Sequence, residues 1–94
     1  MSKTNVRIDY AKQFLKQLKK APLAIKIQFK NRFILFIKDP FHPQLNNHAL
    51  RGKFQGYRSI NITGDWRAIY TITQEKSQQV VVFELLGTHS QLYR

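Results

Sequence analysis

Cysteine is absent from this 94-residue sequence, acidic side chains number only five, and there are four glycines, three prolines and one tryptophan. Without cysteine there is no disulfide scaffold, no thiol nucleophile and no Cys-based zinc site; the composition fits a reducing compartment, and a cytoplasmic location is expected. Long apolar runs are also missing. The longest, Phe33 to Ile37 and Val80 to Phe83, fall far short of the roughly 18 residues that cross a bilayer. No apolar segment of the secretory type follows Met1, so neither membrane insertion nor export is expected. Repeats, low-complexity stretches and linkers do not interrupt the chain. A chain of this length buries only about 60 to 65% of its unfolded surface, enough for one modest core, so a single domain over residues 1–94 is expected.

What the sequence does have is positive charge and aromatic rings. Sixteen Lys and Arg give a formal net charge of +11, while 43% apolar residues, including 7 Phe and 4 Tyr, are too many for a disordered basic tail. Residues 1–38 carry ten of the cations against Asp9 alone, a net +9, and residues 39–94 carry six against four, a net +2. A field of this sign and size attracts polyanions, nucleic acid above all, and creates a use for an acidic protein partner that masks it. A face that serves only solubility is the plainer alternative.

Hydrophobic spacing outlines the elements. Asn5 to Asp9 alternates around Val6 and Ile8 as a short strand, with Asp9 in position to cap a following helix. Tyr10, Phe14, Leu18 and Ala21 recur at helical spacing, with Lys12, Lys16, Lys19 and Lys20 on the other faces, and Pro22 suits the first turn of a second helix. From Leu23 to Phe29 the period is that of a strand, whereas Ile27, Phe33, Ile34, Phe36 and Ile37 fit a helix. The unbroken length, longer than strands usually reach, favours the helix. Asp39-Pro40 and His42-Pro43 end it, and a loop runs to about His48. Beyond Leu50, alternation over Tyr57–Thr63, a Thr63-Gly64-Asp65 turn and Trp66–Thr73 form a hairpin. A polar turn at Gln74–Ser77 leads to a strand over Gln79–Leu86 that is apolar on both faces, and Gly87 ends it before a tail from Thr88 to Arg94. The expected class is α+β: two N-terminal helices on one face of a mainly antiparallel sheet, in the order β-α-α-β-β-β, with the other face partly free.

No P-loop, dinucleotide fingerprint, zincin motif or hydrolase elbow occurs. His42, His48 and His89 lack any recognised metal-ligand spacing, with or without Asp65, so neither metal nor cofactor is expected. The series His48-Ala-Leu-Arg-Gly-Lys-Phe-Gln-Gly-Tyr-Arg58, Gly64-Asp-Trp-Arg-Ala-Ile-Tyr70 and Gly87-Thr-His-Ser-Gln-Leu-Tyr93 resembles the YafQ-like branch of the RelE/ParE toxin superfamily. The resemblance runs through the C-terminal half, and the basic paired helices are compatible with it.

The resemblance implies a small bacterial toxin of a type II toxin–antitoxin pair that enters the ribosomal A site, cleaves mRNA, and is held inactive by an antitoxin wrapped round it. It also implies roles: His48, Asp65 and His89 match catalytic positions, and Tyr93 stands where an aromatic is usual. Ser59 and Asn61 replace an acidic residue and a histidine on the first hairpin strand, while Arg67 resembles an arginine that other branches place after the turn. Two alternatives stay open: a toxin of the same fold that binds a protein such as DNA gyrase without cutting RNA, and a degenerate member kept for antitoxin binding.

The chemistry can be stated from first principles. Attack of a ribose 2′-hydroxyl on its neighbouring phosphate needs a base for the hydroxyl proton, an acid for the leaving 5′-oxygen, and cations for the charge on phosphorus; it does not require a metal. Imidazole, which changes charge between about pH 5 and 8, suits both proton transfers. His48 and His89 are the expected pair, with Asp65 orienting a histidine or acting as base. Arg67, Arg51, Lys53 and Arg58 would hold phosphates and Asn61 would contact RNA, while Tyr93 would stack on a base.

Overall fold

The structure, a computed structural model, describes residues 6–93. Its sheet runs in the spatial order β1-β5-β4-β3-β2, from β1 (Val6–Tyr10) through β5 (Gln78–Thr88), β4 (Trp66–Glu75) and β3 (Arg58–Asn61) to β2 (His48–Ala49). β1 lies parallel to β5, and all other pairings are antiparallel. Two helices, α1 (Lys12–Lys20) and α2 (Leu23–Lys38), complete the α+β architecture expected from the sequence, and a short α3 (His89–Leu92) closes the described chain.

The core explains the arrangement. Phe14 from α1, Ile25, Phe29 and Phe36 from α2, and Ile60, Ala68, Tyr70, Val81 and Phe83 from the sheet form one buried cluster. Phe83 is at its centre, with the rings of Tyr10, Phe14, Phe29, Phe33, Phe36 and Tyr70 at centroid distances of 5.5 to 6.1 Å. Such pairs, tilted or edge-on except for the stacked Tyr10–Phe83, each add about 0.5–1.5 kcal/mol to the burial of the rings. Strand period two then sorts the sheet. Ile60, Ala68, Tyr70, Val81 and Phe83 face the helices, so Ser59, Asn61, Arg67 and Ile69 face the other way. Gln17 of α1 ties the layers together by accepting from the Leu86 N–H at 2.7 Å.

Several local expectations change. Asn5 lies outside the described residues, and Asp9 does not cap α1: the N-cap is Ala11, with no side-chain bond, and the Asp9 carboxylate pairs with Arg7 at 3.2 Å. Tyr10 belongs to β1 rather than to the helix, because its ring packs on Phe83. Pro22 is the N-cap of α2, its carbonyl accepting from Ile25 and Lys26. β5 continues through Gly87 to Thr88, and the tail folds as α3. β4 and β5 both reach further than expected, so their turn shrinks to Lys76-Ser77, with Lys76 left-handed at φ 53°.

Candidate active site

On the face away from α1 and α2, Asn46, His48, Leu50, Arg67, His89 and Tyr93 line an open depression of about 370 Å³. The residues come from three places far apart in the chain, and each is put there by a local rule.

His48 enters through β2, whose pairing with β3 sets His48 opposite Ser59. The residues just before it make a 3-10 turn, Pro43–Leu45, ended by Asn46 in the left-handed conformation (φ 46°, ψ 47°), which asparagine tolerates better than most residues. The Asn46 carbonyl then lies 2.8 Å from His48 Nδ1. A carbonyl only accepts, so Nδ1 carries the hydrogen and the neutral ring presents Nε2 as a bare acceptor.

Arg67 pairs with Asn61 on one side and Gly87 on the other, in the row next to His48 and Ser59. Its Nη1 donates to the carbonyls of Thr63, Gly64 and Trp66 at 3.1 to 3.2 Å, which anchors the fork by one nitrogen on the hairpin turn. His89 and Tyr93 come from the tail. Thr88 forms a capping box with Gln91: the Thr88 hydroxyl accepts from the Gln91 N–H at 3.2 Å, and the Gln91 side chain accepts from the Thr88 N–H at 2.8 Å. One turn of helix places the His89 and Tyr93 rings on one side, 4.7 Å apart.

The remaining expected residues divide. Asp65 is exposed in the turn and does not line the depression; its backbone carbonyl, not its carboxylate, takes part by accepting from the His89 N–H at 2.9 Å. Arg58 is a correction. Sharing parity with Ile60, it points to the helix side, where Nε donates to Asn47 Oδ1 at 2.9 Å and the guanidinium lies 5.4 Å from the Phe41 ring centre. Arg51 and Lys53 are exposed on the 50–57 loop and do not line the depression. Asn61 shares the face with His48, and its Oδ1, like the Ser59 hydroxyl, is buried with no hydrogen-bond partner among the described residues. Asn46 and Leu50 were not anticipated. The Asn46-Asn47 pair carried a turn signal, whereas Leu50 had none. Among the described residues no three His, Asp or Glu side chains gather as a metal-binding group, and no helix is long and apolar enough to cross a membrane.

The fold is a small α+β one of the kind seen in YafQ toxins. The sequence model of the family described as "Bacterial toxin of type II toxin-antitoxin system, YafQ" matches residues 6–94, and the chain belongs to that family. A relative from Haemophilus influenzae that bears the YafQ name is 28% identical over 95 residues, spanning 92% of this chain and 90% of its own. The crystal structure of YafQ from Escherichia coli strain BL21(DE3) superposes with a TM-score of 0.75 at 29% identity, covering 96% of this chain and all of that one. YafQ in the E. coli DinJ–YafQ toxin–antitoxin complex gives 0.72 at 29% identity, over 96% and 99%.

Proposed function

We propose that this toxin is a ribosome-dependent mRNA endoribonuclease. The observation that carries the reading is the convergence of His48, Arg67, His89 and Tyr93 on one open depression, in which Arg67 brings the permanent positive charge. In the reaction, the Nε2 of His48 takes the proton of a ribose 2′-hydroxyl, whose oxygen attacks the adjacent phosphorus. The bond from phosphorus to the 5′-oxygen breaks, and the His89 imidazolium protonates that oxygen. The products are a 2′,3′-cyclic phosphate and a 5′-hydroxyl. Each proton transfer contributes roughly 10²- to 10⁴-fold, or about 3 to 5 kcal/mol of barrier. Arg67, already anchored on the turn, offers the rest of its guanidinium to the charge that grows on the phosphate oxygens, and Tyr93 stacks on a base beside His89.

Cleavage of a reporter mRNA on translating ribosomes tests this. His48→Ala and His89→Ala should each lose cleavage and the growth arrest it causes; retention of both activities by both variants overturns the assignment. A second reading is favoured by Asn61, an amide where the family resemblance implies a histidine, which describes an eroded site. Asn61→His then raises cleavage, whereas an unchanged rate means that His48 and His89 suffice.

We infer as well that a cognate antitoxin covers this chain, as DinJ accompanies YafQ in the E. coli complex. Phe14, Ile25 and Phe29 are core residues, but Leu23, Ile27, Ile34 and Ile37 leave an exposed apolar stripe on α2 among lysines. That combination suits an acidic amphipathic segment that folds on binding. A short acidic reading frame adjoining this gene, whose product co-purifies with the chain, is the expected finding.

A further inference from the structure

Between β2 and β3, outside the core, the loop 50–57 builds something that the acid–base chemistry does not use. Gly52 and Gly56 both have positive φ, 66° and 94°, and nothing lies within 4 Å of where a side chain would begin, so backbone conformation rather than crowding selects glycine there. Between them, residues 52–54 make a 3-10 turn, and the loop is closed by the Tyr57 N–H donating to Phe54 O at 3.0 Å and the Leu50 N–H donating to Tyr57 O at 2.9 Å.

This frame holds Phe54, half-buried, in a row of rings. Phe54 meets Tyr57 at 5.8 Å and 79°, and Tyr93 at 5.8 Å and 88°; Tyr93 in turn meets His89. Lys53 sets its ammonium 5.4 Å from the Phe54 ring centre. The row therefore starts on the loop and ends in the depression, with a cation at its outer end.

We propose that Phe54 and Lys53 form a second nucleotide subsite for single-stranded RNA: Phe54 stacks the base next to the one on Tyr93, and Lys53 holds its phosphate. The proposal rests on the nuclease reading of the depression and adds a conformation for the substrate. The Phe54 and Tyr93 planes are almost perpendicular, so bases stacked on both cannot stack on each other. The two nucleotides are splayed apart, and splaying releases the backbone from the helical geometry in which the 2′-oxygen is not in line with the bond to be broken. Aromatic rings with a neighbouring cation serve this purpose without choosing a base, because every base has a π-face and every nucleotide a phosphate.

The test uses the full chain and a short fluorescent oligoribonucleotide with 2′-O-methyl groups, which cannot be cleaved, read by anisotropy beside the ribosomal cleavage assay. Phe54→Leu should weaken oligonucleotide binding roughly 5- to 100-fold, with an unchanged unfolding midpoint, and Phe54→Trp should restore it. Lys53→Gln should lower the slope of log K against log salt by about 0.7. Wild-type binding and cleavage by Phe54→Leu overturn the subsite and leave the nuclease reading intact, and so does a wild-type protein that cleaves mRNA but does not hold the oligonucleotide. If the wild type cleaves nothing and Phe54→Leu still loses oligonucleotide binding, the subsite stands and the nuclease reading falls. A lowered midpoint that Phe54→Trp corrects without recovery of binding assigns Phe54 a packing role and overturns the proposal.

Discussion

The N–H of His89 donates to the carbonyl of Asp65 at 2.9 Å, which joins the first residue of α3 to the β3–β4 turn. The same turn anchors Arg67 through the carbonyls of Thr63 and Gly64. One short segment, 63–65, thus sets the relative position of the guanidinium and the C-terminal imidazole, although the Asp65 carboxylate stands outside the depression.

A helix of four residues depends on its cap. Thr88→Ala removes the hydroxyl that accepts from Gln91, which costs about 1 kcal/mol and raises the open fraction of the tail roughly fivefold. Amide exchange at Tyr93, whose N–H donates to His89 O, should quicken accordingly, with little change at Phe83. Unchanged exchange at Tyr93 would show that the tail is held by its side chains instead.

Gly87 works by close approach. A Cβ there would lie 3.1 Å from Gln91 Oε1 and 3.3 Å from Leu92 Cγ and Cδ2, on the atoms that fold α3 back over β5. Gly87→Val should lower stability by about 1–3 kcal/mol and reduce cleavage more than its loss of folded protein explains, since His89 and Tyr93 move with α3. Denaturant titration measures the first effect and cleavage per folded molecule the second.

Ser59 is fully buried, and its hydroxyl has no partner among the described residues. An unpaired buried hydroxyl costs about 1–3 kcal/mol, so Ser59→Ala should stabilise the fold by about 1 kcal/mol and raise the unfolding midpoint by roughly 4–8 °C. A fall in the midpoint would refute the absence of a partner.

Burial of Tyr70 raises its pKa above 10.0, while Asn47 and Arg58 beside the hydroxyl pull the other way. The unfolded chain therefore loses this proton at lower pH than the folded one. The contribution is complete below about pH 10 and is lost as pH rises through the folded value. Tyr70→Phe should be less sensitive to alkali than the wild type, as measured by the midpoint between pH 9 and 11.

Much of this fold was legible because it is local. α1, α2 and the β3–β4 and β4–β5 hairpins follow from spacing and turn residues, and the motifs that carry His48, Arg67, His89 and Tyr93 are visible in the sequence. The parallel pairing of β1 with β5 left no mark, since Val6 and its neighbour Gln79 share no sequence pattern. α3 was hidden by its shortness, although Thr88-x-x-Gln91 is the spacing of a capping box. The side on which Arg58 lies is also in the sequence: it stands two positions before the core residue Ile60 and so faces the same way. Asp65 was expected through its carboxylate, and no pattern announces that a backbone carbonyl will serve instead.

The pairing of β1 with β5 also orders how the molecule comes into being. The earliest strand to be synthesised finds its neighbour only among residues 79–83, and contacts so distant along the chain form late because the long intervening loop must close first. A nascent chain that has not reached residues 79–83 holds an unfinished sheet edge, and it has neither His89 nor Tyr93. The depression therefore assembles only once residues 89–93 have joined the chain, so its two halves meet across the finished sheet.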